Sequence, residues 1–296
     1  MSRPGPLRLS LFLALGIAAV SSGSIFIRLA SAPALTVAAY RVFWATLLLA
    51  PAVIRSPVRE LVGLTRKEWY QLLFSGMALA FHFAFWIASL SYTSVASSVL
   101  LVNTTPFFVG LVSQWILRRP CSRFFWIGLG IAFLGCAVIF HKDWTQTGVS
   151  LKGNTLAVLG AIAIAVYLLV GAQARQRLSL LAYVWPVYGA AALALIAACL
   201  IFSSPLLGFS PRTYLFMFLV GLVPQCVGHT TYNWSLRWLP PALVALLGLS
   251  EPVGASLLAF LILHESIAPI KLIGGGIVLL GIYLAARTEM KRQPGK

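Results

Sequence analysis

The chain has 296 residues, of which 60% are hydrophobic and only 9% are Asp, Glu, Lys or Arg. A soluble domain carries roughly 25% charged residues, so water is not the solvent for most of this surface. The net charge of +16 invites a nucleic-acid reading, but the placement of the cations along the chain excludes it. Cys121, Cys136, Cys199 and Cys226 are scattered without a CxxC pair, which leaves neither a disulfide framework nor a metal site.

Crossing a bilayer as a helix takes ~20 mainly apolar residues, and the chain supplies one such run after another between short polar breaks. The runs predict transmembrane helices at about residues 9–27, 34–54, 70–90, 95–117, 124–140, 154–173, 181–202, 212–234, 241–263 and 268–286. None shows the strict apolar/polar alternation of a barrel strand. The first run has the look of a signal peptide, with Arg3 and Arg8 ahead of it and Ala30-Ser31-Ala32 behind. Arg28 stands between the apolar stretch and that cut, however, and cleavage would remove a helix that the internal repeat requires, so it is read as a span.

Taken in chain order, span two carries Arg41, span three His82 and Trp86, and span four Asn103, Thr104, Thr105 and Pro106. Span five holds Gly128 and Gly135. Span eight contributes Gln225, His229 and Tyr232, span nine Ser250, Glu251 and Pro252, and span ten Gly274 and Gly281. With both termini inside, the cytoplasmic segments hold Arg3, Arg8, Arg55, Arg59, Arg66, Lys67, Arg118, Arg119, Arg123, Arg175, Arg177, Arg237, Arg287, Lys291, Arg292 and Lys296. The opposite face holds only Arg28, Lys142, Lys152, Arg212 and Lys271. This is the positive-inside bias, and it accounts for the net charge without any nucleic acid.

Residues 89–140 align without a gap to residues 235–286 at an offset of 146. Ser89-Leu90 meets Ser235-Leu236, Pro106 meets Pro252, Ile116-Leu117 meets Ile262-Leu263, and Gly128, Gly130 and Gly135 meet Gly274, Gly276 and Gly281. Further upstream an offset of 145 pairs Leu35 with Leu180, Tyr40 with Trp185 and Ala45 with Ala190. The fold expectation is an all-α integral membrane protein of ten transmembrane helices, in two five-helix repeats at 1–147 and 148–296. An odd number of spans per repeat makes the second enter from the opposite side, which inverts it.

Pro106 and Pro252 fall near the middle of spans four and nine, where each removes a backbone hydrogen bond and can kink or open the helix. The freed backbone either lines a cavity together with Asn103, Thr105, Ser250 and Glu251, or forms a packing kink satisfied by neighbouring hydroxyls. Gly128 with Gly135, and Gly274 with Gly281, are seven residues apart on one helical face and suit close helix packing. Gly274-Gly275-Gly276 lacks the Lys-Ser/Thr of a phosphate loop.

Ordered this way, the chain resembles the EamA-type bacterial members of the drug/metabolite transporter superfamily. The likeness rests on Ser22-Gly23-Ser24, Ala39-Tyr40-Arg41, Trp86-Ile87-Ala88-Ser89-Leu90 with Tyr92-Thr93, Leu249-Ser250-Glu251-Pro252, and His264-Glu265 followed by Gly274-Gly275-Gly276 and Gly281. Arg118-Arg119 stands where the first half of such proteins often ends its fourth span in an acidic residue like Glu265. The resemblance implies a proton-linked or facilitative carrier, often an exporter, for amino acids or related small metabolites in the bacterial inner membrane, with the substrate in a central cavity. A lipid-linked carrier or flippase of the same superfamily and a non-transporting structural subunit are the alternatives. An enzyme is not expected, since neither HExxH nor GxSxG occurs.

Ionisable residues inside apolar spans are expensive and therefore carry functional weight. The substrate or coupling candidates are Arg41, His82, Trp86, Asn103, Thr105, Pro106, Gln225, His229, Tyr232, Glu251 and Pro252. His82 and His229 nearly coincide under the repeat, and inversion places one near each mouth of the cavity; each is either a proton-exchanging group or a satisfied buried imidazole. Arg41 is expected either to pair with Glu251 or to meet a substrate carboxylate. Trp86 and Tyr232 lie one turn from His82 and His229 on the same faces, whereas Tyr92 and Trp234 suit an interfacial belt and Trp44 fits either role. The expected partners are a small-molecule substrate of low net charge, protons and membrane lipids, with a homodimer as a further option and no cofactor.

Overall fold

A computed structural model describes residues 4–56, 58–93, 95–139, 151–263 and 268–291. His264 and Glu265, which carry part of the resemblance, lie outside the described residues, as do Arg3, Lys142, Arg292 and Lys296 of the charge pattern. Among the described residues every regular element is helical. Eight helical segments among the described residues are long and apolar enough to cross a membrane: Pro6–Ala30, Ala34–Arg55, Arg66–Ser89, Leu151–Ala174, Leu180–Ile201, Pro211–Ser235, Pro241–Ile262 and Pro269–Met290. Two of the ten expected spans differ. The fourth divides into α6 (Val95–Val102) and α7 (Thr105–Trp115), and the fifth, α8 (Arg123–Ile139), has 17 residues.

The helices start where local chemistry directs. Thr65 caps α5 (Arg66–Ser89) in a reciprocal box, its Oγ1 accepting from Glu68 N at 3.3 Å while Glu68 Oε2 accepts from Thr65 N at 2.9 Å. Ser179 caps α10 (Leu180–Ile201), and Ser210 caps α11 (Pro211–Val220), where Pro211 occupies the first helical position without wasting a donor. The first span breaks at Ser22 between α1 (Pro6–Ser21) and α2 (Gly23–Ala30), and Ser31 ends it in the left-handed region at φ 49°.

The two central prolines act alike. In the fourth span regular helix stops at Val102 and resumes at Thr105, one residue before Pro106. In the ninth, α13 (Pro241–Leu247) gives way to a 3₁₀ turn, Gly248–Ser250, and α14 (Glu251–Leu263) starts one residue before Pro252. The eighth span is interrupted by a different device. Between α11 and α12 (Thr230–Ser235), residues Gly221–His229 form a π-helix that contains Pro224, whose missing N–H leaves the backbone free to widen.

α9 (Leu151–Ala174) lies against α5, which in turn packs with α10 and α3 (Ala34–Arg55), while α8 and α15 (Pro269–Lys291) pack along each other. At that last contact the helix axes approach so closely that a Cβ on Gly128 would fall 2.4 Å from the Gly281 carbonyl and one on Gly135 2.7 Å from the Gly274 carbonyl. The close-packing expectation for these four glycines holds, and the contact maps onto itself under the 146-residue offset. Large apolar side chains face outward, Leu193 at 73% and Leu200 at 69% exposure among them, as a lipid-solvated surface requires.

Candidate functional site

Where the helices break, the body is hollow. A cavity of about 320 Å³ lies between α1, α2, α3, α5, α9, the π segment and the interrupted fourth and ninth spans. Nine of the eleven sequence candidates line it: Arg41, His82, Trp86, Asn103, Thr105, His229, Tyr232, Glu251 and Pro252. The remaining two support it from behind. Gln225, with no exposed surface, accepts a hydrogen bond from Arg41 Nε at its Oε1, 2.7 Å away, and Pro106 is buried in the first turn of α7. The lining runs from Tyr167, 1% exposed, to exposed Ser24 and Lys271, so the cavity reaches the surface at the start of α15.

One wall is a continuous arc of rings. Trp86 stacks on His82 with centroids 6.0 Å apart and planes within 9°. His82 adjoins Phe83 at 5.0 Å, Phe83 meets His229 edge-on at 5.9 Å, and His229 adjoins Tyr232 at 6.2 Å. The Arg41 guanidinium carbon lies 4.4 Å from the centroid of Phe83, in the middle of the arc. The one-turn relation expected for Trp86 and Tyr232 is thus present. The two histidines, by contrast, do not sit at opposite mouths. Both rings pack on Phe83, because α5 presents His82 and Phe83 toward the π segment that carries His229.

Arg41 does not pair with Glu251. Among the described residues no Glu251 oxygen lies within 4.0 Å of the guanidinium nitrogens, and Arg41 is 3% exposed with Nη2 unpartnered. His82 Nδ1 lies 3.0 Å from the Gly160 carbonyl of α9, which fixes that ring in the cavity wall. Thr105 Oγ1 donates back to the Val102 carbonyl at 2.7 Å, satisfying one of the acceptors freed by the helix break. Trp44 does not line the cavity; it packs edge-on against Phe218. Trp234 stacks with Phe12 at 5.1 Å, and Tyr92, 43% exposed, carries Lys152 over its ring at 3.9 Å, both consistent with an interfacial belt.

Beneath the cavity lies a polar hub that apolar patterning along the chain does not reveal. Asn233 Nδ2 donates to Tyr167 Oη at 2.5 Å and to the His229 carbonyl at 2.9 Å, with Tyr188 Oη at 3.3 Å. Tyr188 Oη is 3.2 Å from Thr230 Oγ1, which donates to the Gln225 carbonyl at 3.2 Å. Arg175 Nε donates to the Asn233 carbonyl at 3.1 Å, and Arg175 Nη1 donates to the Leu178 carbonyl. The hub therefore connects the backbone around His229 with the junction between α9 and α10.

The EamA-like transporter family model matches this chain twice, over residues 8–141 and 151–287. The chain belongs to the EamA-like transporter family. This EamA-like transporter is 21% identical to the uncharacterized transporter YwfM of Bacillus subtilis over 233 residues, 76% of each chain. It is 24% identical over 268 residues to an uncharacterized transporter of Archaeoglobus fulgidus, spanning 89% of this chain and 91% of that one. A solved crystal structure superposes with a TM-score of 0.82 at 15% identity, covering 97% of this chain and 99% of that one, a likeness of fold. The EamA-like transporter is accordingly a multi-pass membrane protein and not an enzyme.

Proposed function

We propose that this chain is a secondary transporter of a small metabolite of low net charge, an amino acid or related compound. It works by alternating access across the bacterial inner membrane, with proton coupling through Glu251 and the two histidines. In this reading the chain crosses ten times, as inverted halves 1–147 and 148–296 with both termini cytoplasmic. The reciprocal glycine contact between α8 and α15 supports a two-fold relation between the halves, since it is the contact such an axis generates. The observation that carries the functional reading is the cavity itself: about 320 Å³, placed where the first, fourth, eighth and ninth spans are interrupted and lined by Arg41, Lys271, the Glu251 carboxyl and the imidazoles of His82 and His229. Intramembrane groups of this kind mark substrate and proton pathways. Under this topology the mouth at Lys271 faces away from the cytoplasm, and the Asn233 hub seals the opposite side.

A solute screen with purified protein in liposomes tests the proposal. Saturable flux of at least one small solute of low net charge is expected, without uptake of nucleotide sugars or phosphorylated metabolites, whose charge would demand more cations than Arg41 in the cavity and exposed Lys271 at its mouth provide. Saturable uptake of a nucleotide sugar would overturn it.

A further inference from the structure

Arg41 is a buried cation without a counter-charge within ion-pair distance among the described residues. The residue is 3% exposed, Nε is taken by the neutral amide of Gln225, and Nη2 is shut off from solvent and has no partner among the described residues. What Arg41 offers the cavity it therefore offers through Nη1. Burying an ion is costly unless an opposite charge and further hydrogen bonds compensate it. Among the described residues the one carboxyl in the lining, Glu251, lies beyond ion-pair distance, and the other charged or titratable side chains facing the same space are His82, His229 and Lys271, with the phenols of Tyr167 and Tyr232. Phe83 supports the guanidinium from one face and Gln225 holds it from the side, so the charge is fixed in place.

From this geometry we propose that Arg41 is the recognition site for a single carboxylate on the transported solute. A guanidinium edge takes a carboxylate with directed, charge-assisted hydrogen bonds, and its worth rises in a water-poor cavity. The rest of the solute lies along the ring arc from Trp86 to Tyr232. Glu251, facing the same space, sets the second condition. A ligand with two carboxylates would press one of them against Glu251, whereas a monocarboxylate, with or without a positive group for Glu251, leaves that side free. This assignment deepens the proposed transport function and rests on it for its biological meaning, although binding can be measured apart from flux.

The test is thermal stabilisation of the purified, detergent-solubilised protein, because a ligand that binds only the folded state raises its melting temperature. Benzoate, phenylacetate and hexanoate are titrated beside benzamide, phenylacetamide and hexanamide, with phthalate as the dicarboxylate. At least one acid is expected to stabilise the protein with an affinity about tenfold or more above its amide, the scale of a charge-assisted hydrogen bond, and phthalate is expected to give no shift. Arg41→Gln should erase the preference for acid over amide. Should that variant not fold, Gln225→Glu puts a carboxylate on the guanidinium with little change in shape, and should weaken acid binding about tenfold while leaving the amides unaffected. Equal stabilisation by acids and amides, tight binding of phthalate, or undiminished acid binding by Gln225→Glu would overturn the proposal. If the liposome screen finds a solute while acids and amides behave alike, the carboxylate site alone fails. If acids bind selectively and no solute crosses, it is the transport reading that fails.

Discussion

Gly128 and Gly281 meet backbone to backbone: a Cβ on Gly128 would stand 2.4 Å from the Gly281 carbonyl oxygen, and one on Gly281 would stand 2.5 Å from that of Gly128. Neither oxygen can rotate away as a side chain would, so any larger residue must push α8 and α15 apart. With little hydrophobic drive between helices in lipid, such close packing is what holds them together. Gly281→Ala is expected to destabilise the protein by about 1–3 kcal/mol, the usual cost of overpacking, and to lower the melting temperature in detergent. Gly130→Ala and Gly276→Ala, where an added Cβ meets nothing within 4 Å, should leave it unchanged. An unchanged melting temperature for Gly281→Ala would refute the contact.

Much of the architecture was readable because its signals are punctuation in an apolar text. Pro106 and Pro252 announce their helix breaks by lacking a donor, and the seven-residue glycine spacing identifies a packing face. Polar residues at membrane depth converged on one cavity because few other places there tolerate them. Other features leave no such trace. The π segment Gly221–His229 is a hydrogen-bond register, which apolar patterning does not encode. Phe83 and Tyr167 look like any core aromatic, although one supports Arg41 and the other closes the cavity. The pairing of Arg41 with Gln225 rather than Glu251 depends on helix rotation, which depth estimates along the chain do not resolve.

Arg175 illustrates the same limit and supports a second prediction. By its position after α9 it counts as one more cytoplasmic charge, yet it is 2% exposed and its guanidinium bridges the carbonyls of Asn233 and Leu178. Burial, and next the neighbouring Arg237, lower its pKa to about 10, which keeps it cationic at neutral pH. Arg175→Met keeps much of the volume but strands two carbonyl acceptors, and is expected to cost ~2 kcal/mol or more. Arg177 is two residues away with its side chain 80% exposed, and its ion pair with Glu68 spans 3.8 Å, so Arg177→Ala should change stability by less than ~1 kcal/mol. Denaturation curves on both variants check the contrast, and equal effects would contradict it.

The ten-span topology makes a third prediction. Reporter fusions at Arg66, Arg123, Arg177 and Arg237 are expected to report cytoplasm, while fusions at Lys152 and Arg212 report the opposite side. The informative position is Arg123, because it depends on the divided fourth span crossing completely in spite of its break at Asn103 and Thr104. An external signal at Arg123 would mean that α6 and α7 re-enter rather than cross, and the inverted-repeat model would fail.

Glu251 is the most function-sensitive ionisable position expected here. It opens α14 directly after the 3₁₀ turn, faces the cavity, and makes no hydrogen bond among the described residues, so its protonation is free to follow what the cavity contains. Substrate entry displaces water and changes what faces the carboxyl, which is the condition for linking proton occupancy to solute occupancy. Glu251→Gln preserves size and hydrogen-bonding capacity but cannot titrate. It is expected to fold with a melting temperature within about 2 °C of the parent, as suits a substitution costing well under 1 kcal/mol, and to carry out flux that no longer responds to pH. A purely structural Glu251 predicts the reverse pattern, with a lowered melting temperature and yield but unchanged pH response per folded molecule. Both quantities are measured on one reconstituted preparation across pH 5–8, and normal, pH-responsive flux in the Gln variant would remove Glu251 from the coupling step.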